Sequence, residues 1–401
     1  KILAASEGCK IPLKVLPSVK QLLADPAALR QIRPMSLEDL LQREPVQTDR
    51  QELHVLLEGK RVLVTGAGGS IGSELCRQIA QYKPALLVLF ERYENGLYAL
   101  DLELRLRFPL IKIVPAVGDI TVADRVNEIL VQTKPELVFH AAAHKHVPLM
   151  EVNPKEAVRN NVVGTKTMAE AALTAGVERF VLISTDKAVN PTSVMGATKR
   201  VAEEFIQSLN SQGHTKFTVV RFGNVLGSNG SVVPLFAEQI RRGGPVTVAH
   251  PEIKRFFMMI PEAVQLVLQA SVLGHGEDVF VLDMGEQIKV GELAKNMIVL
   301  SGFVPEQDIR IVYTGLRAGE KLFEELFEET EQVETTPHPK IHRAVRNGKP
   351  SFAGIEQSIS RLEMALTDGD DETLIRLLQE AVPSYQPISI QKTQATLHPR
   401  A

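Results

Sequence analysis

The sequence predicts an α/β fold: a doubly wound parallel sheet followed by a smaller C-terminal subdomain. Short β-branched runs begin at Arg61 and recur with longer amphipathic segments between them. A glycine-rich turn joins the first run to the first amphipathic segment. After about residue 226 the alternation gives way to Gly, Pro and charged loops. Strands alternating with helices form βαβ units, whose crossovers return the chain to the same sheet edge and keep the strands parallel.

Residues 1–59 read as an N-terminal extension, in which Ser36-Leu37-Glu38-Asp39 has the form of a helix start, a capping hydroxyl followed by an acid. RVLVT (61–65), ALLVLF (85–90), IKIVPAV (111–117), ELVFHAA (136–142), RFVLIS (179–184) and FTVVRF (217–222) have the length and apolar content of buried parallel strands. Val122–Gln132 and Pro154–Ala175 have helical length and period. The expected organisation is therefore an extension (1–59), a dinucleotide-binding domain (60–225), a substrate-binding subdomain (226–330) and a tail (331–401) that ends in a helical stretch to about Ala381.

The chain has 401 residues, 44% of them hydrophobic, enough to bury a full core. A formal charge of −3 excludes the strong basic field that nucleic acid or an anionic membrane would select. Two cysteines, Cys9 and Cys76, far apart in the chain, predict a reducing, cytoplasmic setting without a disulfide framework. No apolar run reaches the roughly 18 residues of a membrane helix. The chain opens KILAASEGCK in mid-pattern, which reads as a fragment of a longer protein.

VLVTGAGGSIGSEL sets Gly66, Gly69 and Gly72 between a strand and a helix. The first glycine permits the tight turn, and the second admits a pyrophosphate to backbone N–H groups at the helix start. The third lets helix and strand pack closely. Ser70 and Ile71 belong to the same loop. This is the Rossmann fingerprint in its G-x-x-G-x-x-G spacing. Glu91, at the end of the second strand, is placed to bind ribose hydroxyls and points to NAD, while the adjacent Arg92 could instead meet a 2′-phosphate and leaves NADP open.

TGAGGSIG, GDI (118–120), HAAAHKHVPLME (140–151), NNVVGT (160–165), STDKA (184–188) and Met195…Lys199 together resemble an extended short-chain dehydrogenase/reductase. More narrowly they resemble the nucleotide-sugar 4,6-dehydratases of bacterial surface-polysaccharide synthesis, especially those acting on UDP-N-acetylglucosamine. The resemblance runs from about residue 36 to 330. It implies that Asp119 and Ile120 flank the adenine, that Ala141, Ala142 and Asn161 line the cofactor trough, and that Lys199 holds the nicotinamide ribose. It further implies a UDP-sugar substrate, retention at C5, and a longer parent protein anchored at the cytoplasmic face of the inner membrane. A homo-oligomer is expected.

Loss of water across C5 and C6 of a sugar is hard because the C5 proton is not acidic. Oxidation at C4 places that proton α to a ketone, so a base can take it while an acid protonates the departing C6 hydroxyl. Thr185-Asp186-Lys187 ends the fifth strand, where open α/β sheets place their sites. The resemblance implies Lys187 as the C5 base, Asp186 as the acid toward C6, and Thr185 as a partner of the C4 oxygen. Lys187 then needs a lowered pKa, which burial and nearby Lys199 would supply. Met195 stands four before Lys199, where most relatives carry a proton-handling tyrosine, and its thioether can neither give nor take a proton. Its bland reading is core packing at a helix start. Asp186, Lys187 or a water bound to Thr185 must take the C4 proton.

His144-Lys145-His146 with Glu151 makes a poor metal-ligand set, so no metal is expected, and Lys145 and His146 read as substrate contacts. The resemblance implies that Asn224, Arg255 and Arg317 bind the nucleoside diphosphate, a task suited to guanidinium groups. Two other outcomes remain open: a UDP-sugar 4-epimerase, which needs no C5 base, and an inactive dinucleotide-sensing protein. The charged groups at one strand end argue against the latter, because burying them costs free energy.

Overall fold

The computed structural model describes residues 14–15, 33–34, 49–346, 348 and 351–388. The Ser36–Asp39 helix start lies outside them.

The described residues divide into two compact units: 14–15, 33–34, 224–259 and 284–315 belong to the smaller, and 49–223, 260–283, 316–346, 348 and 351–388 to the larger. The larger unit is built on a nine-stranded sheet. Its strands are β1 (Arg61–Thr65), β2 (Leu86–Glu91), β3 (Ile113–Val117), β4 (Leu137–His140), β5 (Arg179–Thr185), β6 (Lys216–Phe222), β7 (Val279–Leu282), β8 (Glu331–Thr335) and β9 (Ile341–Arg346). The spatial order is β8-β9-β7-β6-β5-β4-β1-β2-β3. The seven strands from β3 to β7 pair in parallel, and β9 and β8 add an antiparallel edge. The expected α/β doubly wound sheet is thus the observed fold, and each expected strand appears within a few residues of its expected bounds.

Central strands are buried on both faces, as crossover helices on both sides require. In β1 every residue after Arg61 is buried, and in β2 every residue before Glu91. One face carries α1 (Arg50–Leu57), α2 (Ser70–Ala80), α3 (Glu94–Arg107) and α7 (Ile260–Leu273). The other carries α4 (Ala123–Thr133), α5 (Gly164–Thr174), α6 (Val194–Ser208), α8 (Phe352–Asp368) and α9 (Asp371–Ala381), over a core that includes Phe90, Phe180, Phe205 and Phe217. The expected helix from Pro154 begins as one α-turn, Pro154–Ala157, passes through a π-helical stretch, Val158–Val163, and continues as α5. Widened π turns cost hydrogen-bond geometry and mark functional positions, and this one carries Asn161.

Residues 226–330 and 331–401 do not fall into separate bodies. Residues 260–283 supply α7 and β7 to the large sheet, and the tail supplies β8, β9, α8 and α9. The tail is fastened by buried charge: Arg221 of β6 bonds Glu203 of α6 at 2.7 Å and Glu331 of β8 at 2.9 Å. Removing one partner of such a cluster leaves an uncompensated buried charge.

In the smaller unit, Val232–Arg241 and Val290–Leu300 are helical, and Val246–Val248 pairs in parallel with Ile311–Tyr313.

Candidate active site

The C-terminal ends of β1, β2, β4 and β5 lie along one edge of the sheet, and the residues singled out in the sequence leave from it. Gly66 follows β1 with φ +64, a left-handed conformation that glycine adopts freely. A Cβ on Gly66 would stand 2.7 Å from the Ala142 nitrogen, and one on Gly72 would stand 2.0 Å from the Gly66 oxygen. Both positions require glycine for close backbone approach. Gly69 is the N-cap of α2 and supplies no side chain, so the first N–H groups of the helix, at Ser70 and Ile71, face the loop without a side-chain cap.

Glu91 ends β2. One carboxylate oxygen accepts from the Gly68 nitrogen at 3.0 Å, and the other from the Arg92 and Tyr93 nitrogens at 2.9 Å. These bonds fix an anionic acceptor at the rim of the glycine loop. Arg92 turns to Asp119 at 3.4 Å and to His144 Nε2 at 3.2 Å. Asp119 also accepts from the Thr121 nitrogen and hydroxyl at 2.9 and 2.8 Å. Burial would raise its carboxyl pKa, but these bonds and the Arg92 charge outweigh burial and hold it below the usual range. Ile120 is buried in the core, with its Cδ1 2.6 Å from where a Cβ on Gly164 would lie.

Ala141 and Ala142 leave β4 beside β1. The Ala141 nitrogen donates to the Thr65 oxygen at 3.3 Å, and the Ala142 nitrogen to the Thr65 hydroxyl at 3.2 Å. Asn161 is fully buried and uses both ends of its amide. Its Oδ1 accepts from the His144 nitrogen at 2.8 Å, and its Nδ2 donates to the His144 oxygen at 3.0 Å and the Thr198 hydroxyl at 3.1 Å. The side chain therefore fastens the loop after β4 to α6.

The segment after β5 brings together Thr185, Asp186 and Lys187. The Thr185 hydroxyl donates to Asp186 Oδ1 at 2.9 Å, and Lys187 Nζ donates to the same oxygen at 3.0 Å. Lys187 Nζ also lies 2.7 Å from Oε1 of Glu324, a buried residue that the sequence reading did not single out. Its position two residues beyond GLRAGEKL, in a charged loop, gave no local signal. Asp186 is buried, which alone would raise its pKa; the Lys187 charge and hydrogen bonds with Glu324, Lys187 and Thr185 hold it below the usual carboxylate range.

These contacts add carboxylates to the surroundings expected for the lysines. Lys187 is clamped between two carboxylates, which stabilise its ammonium form rather than the amine. Burial depresses Lys199 to about 8, and its Nζ donates to the Ile183 oxygen at 2.8 Å. Lys145 is pulled down by burial and by the charge of Lys187, which brings the loop after β4 into the electrostatic reach of the β5 end. His146 is depressed by burial, then by Lys145, Arg317 and His144.

Met195 is buried at the start of α6 and packs in the core. The helix start is fixed by the Ser193 hydroxyl, which accepts from the Gly196 nitrogen at 3.1 Å, and by Glu151, which accepts from the Val194 nitrogen at 2.7 Å. The sequence reading considered Glu151 only as a metal ligand. His140 was also missed: buried, with its pKa pushed down to about 3, it stays neutral and bridges the hydroxyls of Thr65 at 2.8 Å and Thr165 at 3.1 Å. Among the described residues no group of three His, Cys, Asp or Glu side chains could hold a metal ion, and no helix is long and apolar enough to cross a membrane.

The expected diphosphate ligands are divided between the units. In the smaller, Asn224 is paired with Phe257, and Arg255 is buried, its Nη1 donating to the Lys254 oxygen at 2.7 Å. In the larger, Arg317 is exposed and paired with Glu320 at 2.7 Å.

Residues 62–346 match the family described as polysaccharide biosynthesis protein. The chain is similar to the probable polysaccharide biosynthesis protein EpsC of Bacillus subtilis, 51% identical over 333 residues, which cover 83% of this chain and 56% of that one. It is equally similar to the capsular polysaccharide biosynthesis protein CapD of Staphylococcus aureus, 51% identical over 335 residues, again covering 83% and 56%. The chain thus spans little more than half the length of these relatives. An inverting UDP-N-acetylglucosamine 4,6-dehydratase of Campylobacter jejuni is 32% identical over 274 residues, 67% of this chain and 78% of that one. Among solved structures, Pen from Bacillus thuringiensis superposes with a TM-score of 0.67 at 34% identity, covering 74% of this chain and 92% of that one. The chain belongs to the polysaccharide biosynthesis protein family, a branch of the extended short-chain dehydrogenase/reductases related to the UDP-N-acetylglucosamine 4,6-dehydratases.

Proposed function

We propose that the protein is a nucleotide-sugar 4,6-dehydratase that converts UDP-N-acetylglucosamine to the UDP-4-keto-6-deoxy sugar for surface polysaccharide or glycan synthesis. The observation that carries this reading is the cluster of Thr185, Asp186 and Lys187 at one strand end, with buried Met195 and Lys199 on the helix beside it. An epimerase has no use for a lysine base at C5. The inverting dehydratase of Campylobacter jejuni supports the substrate class.

The glycine loop fits a dinucleotide, because Cβ atoms at Gly66 and Gly72 would fill the cradle and Glu91 presents a fixed acceptor at its rim. We take NAD as the cofactor. Glu91 is aimed at the loop by backbone N–H groups, while Arg92 is engaged by Asp119 and His144. Bound NAD would supply hydride acceptance from C4 and hydride return to C6. The chain's own residues supply the rest. Asp186, held ionised, takes the C4 proton directly or through the Thr185 hydroxyl and gives it to the departing C6 hydroxyl. Lys187 takes the C5 proton. Met195 forms an apolar wall without proton chemistry. Lys199 holds the nicotinamide ribose, Lys145 and His146 face the sugar, and Asn224, Arg255 and Arg317 bind the diphosphate. The longer parent is anchored at the cytoplasmic face of the membrane and works as a homo-oligomer.

Incubation with UDP-N-acetylglucosamine and no added cofactor, followed by mass spectrometry, tests the reading. Loss of one water is expected. Unchanged mass with conversion to the galacto isomer would mean an epimerase, and no conversion even with NAD or NADP would count against both enzymes.

A further inference from the structure

Lys187 can remove a proton from C5 only as an amine, yet its Nζ lies between Asp186 Oδ1 at 3.0 Å and Glu324 Oε1 at 2.7 Å, neighbours that favour the ammonium. A base in this state needs somewhere to put its own proton. Asp186 is committed elsewhere, because it must be free to take the C4 proton and deliver it to C6. Glu324 Oε1 is the nearer of the two carboxylate oxygens on Lys187 Nζ, and its side chain is only 3% exposed.

We propose that Glu324 is the internal proton acceptor for Lys187, a positioning residue that turns the resting ammonium into the amine the elimination requires. This rests on the reading of Lys187 as the C5 base. In the transfer one N–H bond of the ammonium breaks and an O–H bond forms on Glu324 Oε1, so the ion pair becomes a neutral pair and no proton leaves the site. In the neutral pair the new Glu324 O–H donates to the Lys187 amine across the same 2.7 Å contact. The amine then takes the C5 proton while Glu324 keeps the one it received. When Lys187 has delivered a proton to C5 of the product from its exchangeable N–H set, Glu324 gives its proton back and the resting pair is restored.

The charged groups facing Lys187 are Asp186 on its own turn, Glu324 on the segment before β8 and Lys145 on the loop after β4. The pair's behaviour with pH is distinctive. A Lys–Glu pair that shares one proton keeps a constant fraction of amine between its two macroscopic pKa values. A lysine that must discharge its proton to solvent gains amine about tenfold per pH unit below its pKa.

Competitive acetylation with acetic anhydride reads this directly, without turnover. Lys187 reactivity is measured by peptide mass spectrometry from about pH 6 to 8, below the ordinary lysine pKa of about 10.4, in the wild type, Glu324→Gln and Glu324→Asp. The side chain of Lys187 is 24% exposed, so the reagent can reach it. Corrected for reagent hydrolysis, the profile should be flat in the wild type and in Glu324→Asp, which keeps an acceptor, and should rise about tenfold per pH unit in Glu324→Gln. The C5 exchange rate of Glu324→Gln should rise with the same slope. A sloping wild-type profile overturns the proposal even if Glu324→Gln fails to fold, and a flat Glu324→Gln profile overturns it as well. Because acetylation needs no substrate, failure of the dehydratase reading would appear separately, as a wild type that leaves the sugar unchanged.

Discussion

Asn161 Nδ2 donates to the Thr198 hydroxyl at 3.1 Å while its Oδ1 accepts from the His144 nitrogen at 2.8 Å. One amide thus ties the loop that carries Lys145 and His146 to the helix that carries Met195 and Lys199. The π-helical stretch places it there, because the widened turn carries this side chain in the interior between the two elements.

Asn161→Ala therefore leaves the part-buried His144 N–H and C=O and the Asn160 amide without this partner, while the Thr198 hydroxyl keeps its bond to the Met195 oxygen. A loss of about 1–3 kcal/mol is expected for each group stranded. Urea unfolding should show lower stability, and cofactor binding should weaken as the loop and helix uncouple. A variant with wild-type stability and cofactor affinity would mean that water replaces the amide without cost.

Lys199 gives a pH-dependent prediction. Burial lowers its folded pKa from 10.5 to about 8, so between those values the unfolded chain binds more protons than the folded one. Stability from this group therefore rises as pH climbs from about 8 through 10.5, and the cost of holding it charged is largest at neutral pH. Lys199→Met should be more stable than the wild type at pH 7, by up to a few kcal/mol, with the difference closing above the unfolded pKa. The same variant should lose activity, since the ribose contact is gone. Denaturant titrations across this range check the sign; a destabilised Lys199→Met at neutral pH would show that the bond to the Ile183 oxygen outweighs desolvation.

Glu91 should govern cofactor choice. Replacing it with alanine removes a charged acceptor worth about 1.5–3 kcal/mol, so NAD affinity should fall about 10–100-fold. NADP should lose less or gain, because the carboxylate no longer repels a 2′-phosphate. Calorimetric titration with both dinucleotides measures this, and an equal loss for both would remove Glu91 from the specificity role.

The sheet was legible because its cause is local: buried runs such as RVLVT and ALLVLF are read directly from the sequence, and the glycines between β1 and α2 can do little else. The strand-end cluster was legible for the same reason, since Thr185, Asp186 and Lys187 are consecutive. What the sequence withheld depends on distant pairing. Glu324 meets Lys187 from far along the chain, and Arg221 draws Glu331 into the sheet, making the tail part of the main body. The surroundings of Lys187 include a carboxylate, Glu324, that spacing does not reveal. The resemblance placed Asn161 at the cofactor trough, and spacing did not reveal that its amide joins His144 to Thr198.

The most direct test of the central claim is mass spectrometry of UDP-N-acetylglucosamine incubated with the protein in deuterated water, beside Lys187→Ala. Elimination through a C5 base predicts loss of one water and gain of one carbon-bound deuterium in the wild type, and neither in the variant. Dehydration that persists undiminished in Lys187→Ala, or a wild-type product without carbon-bound deuterium on a site where Lys187 exchanges freely with solvent, would contradict the account.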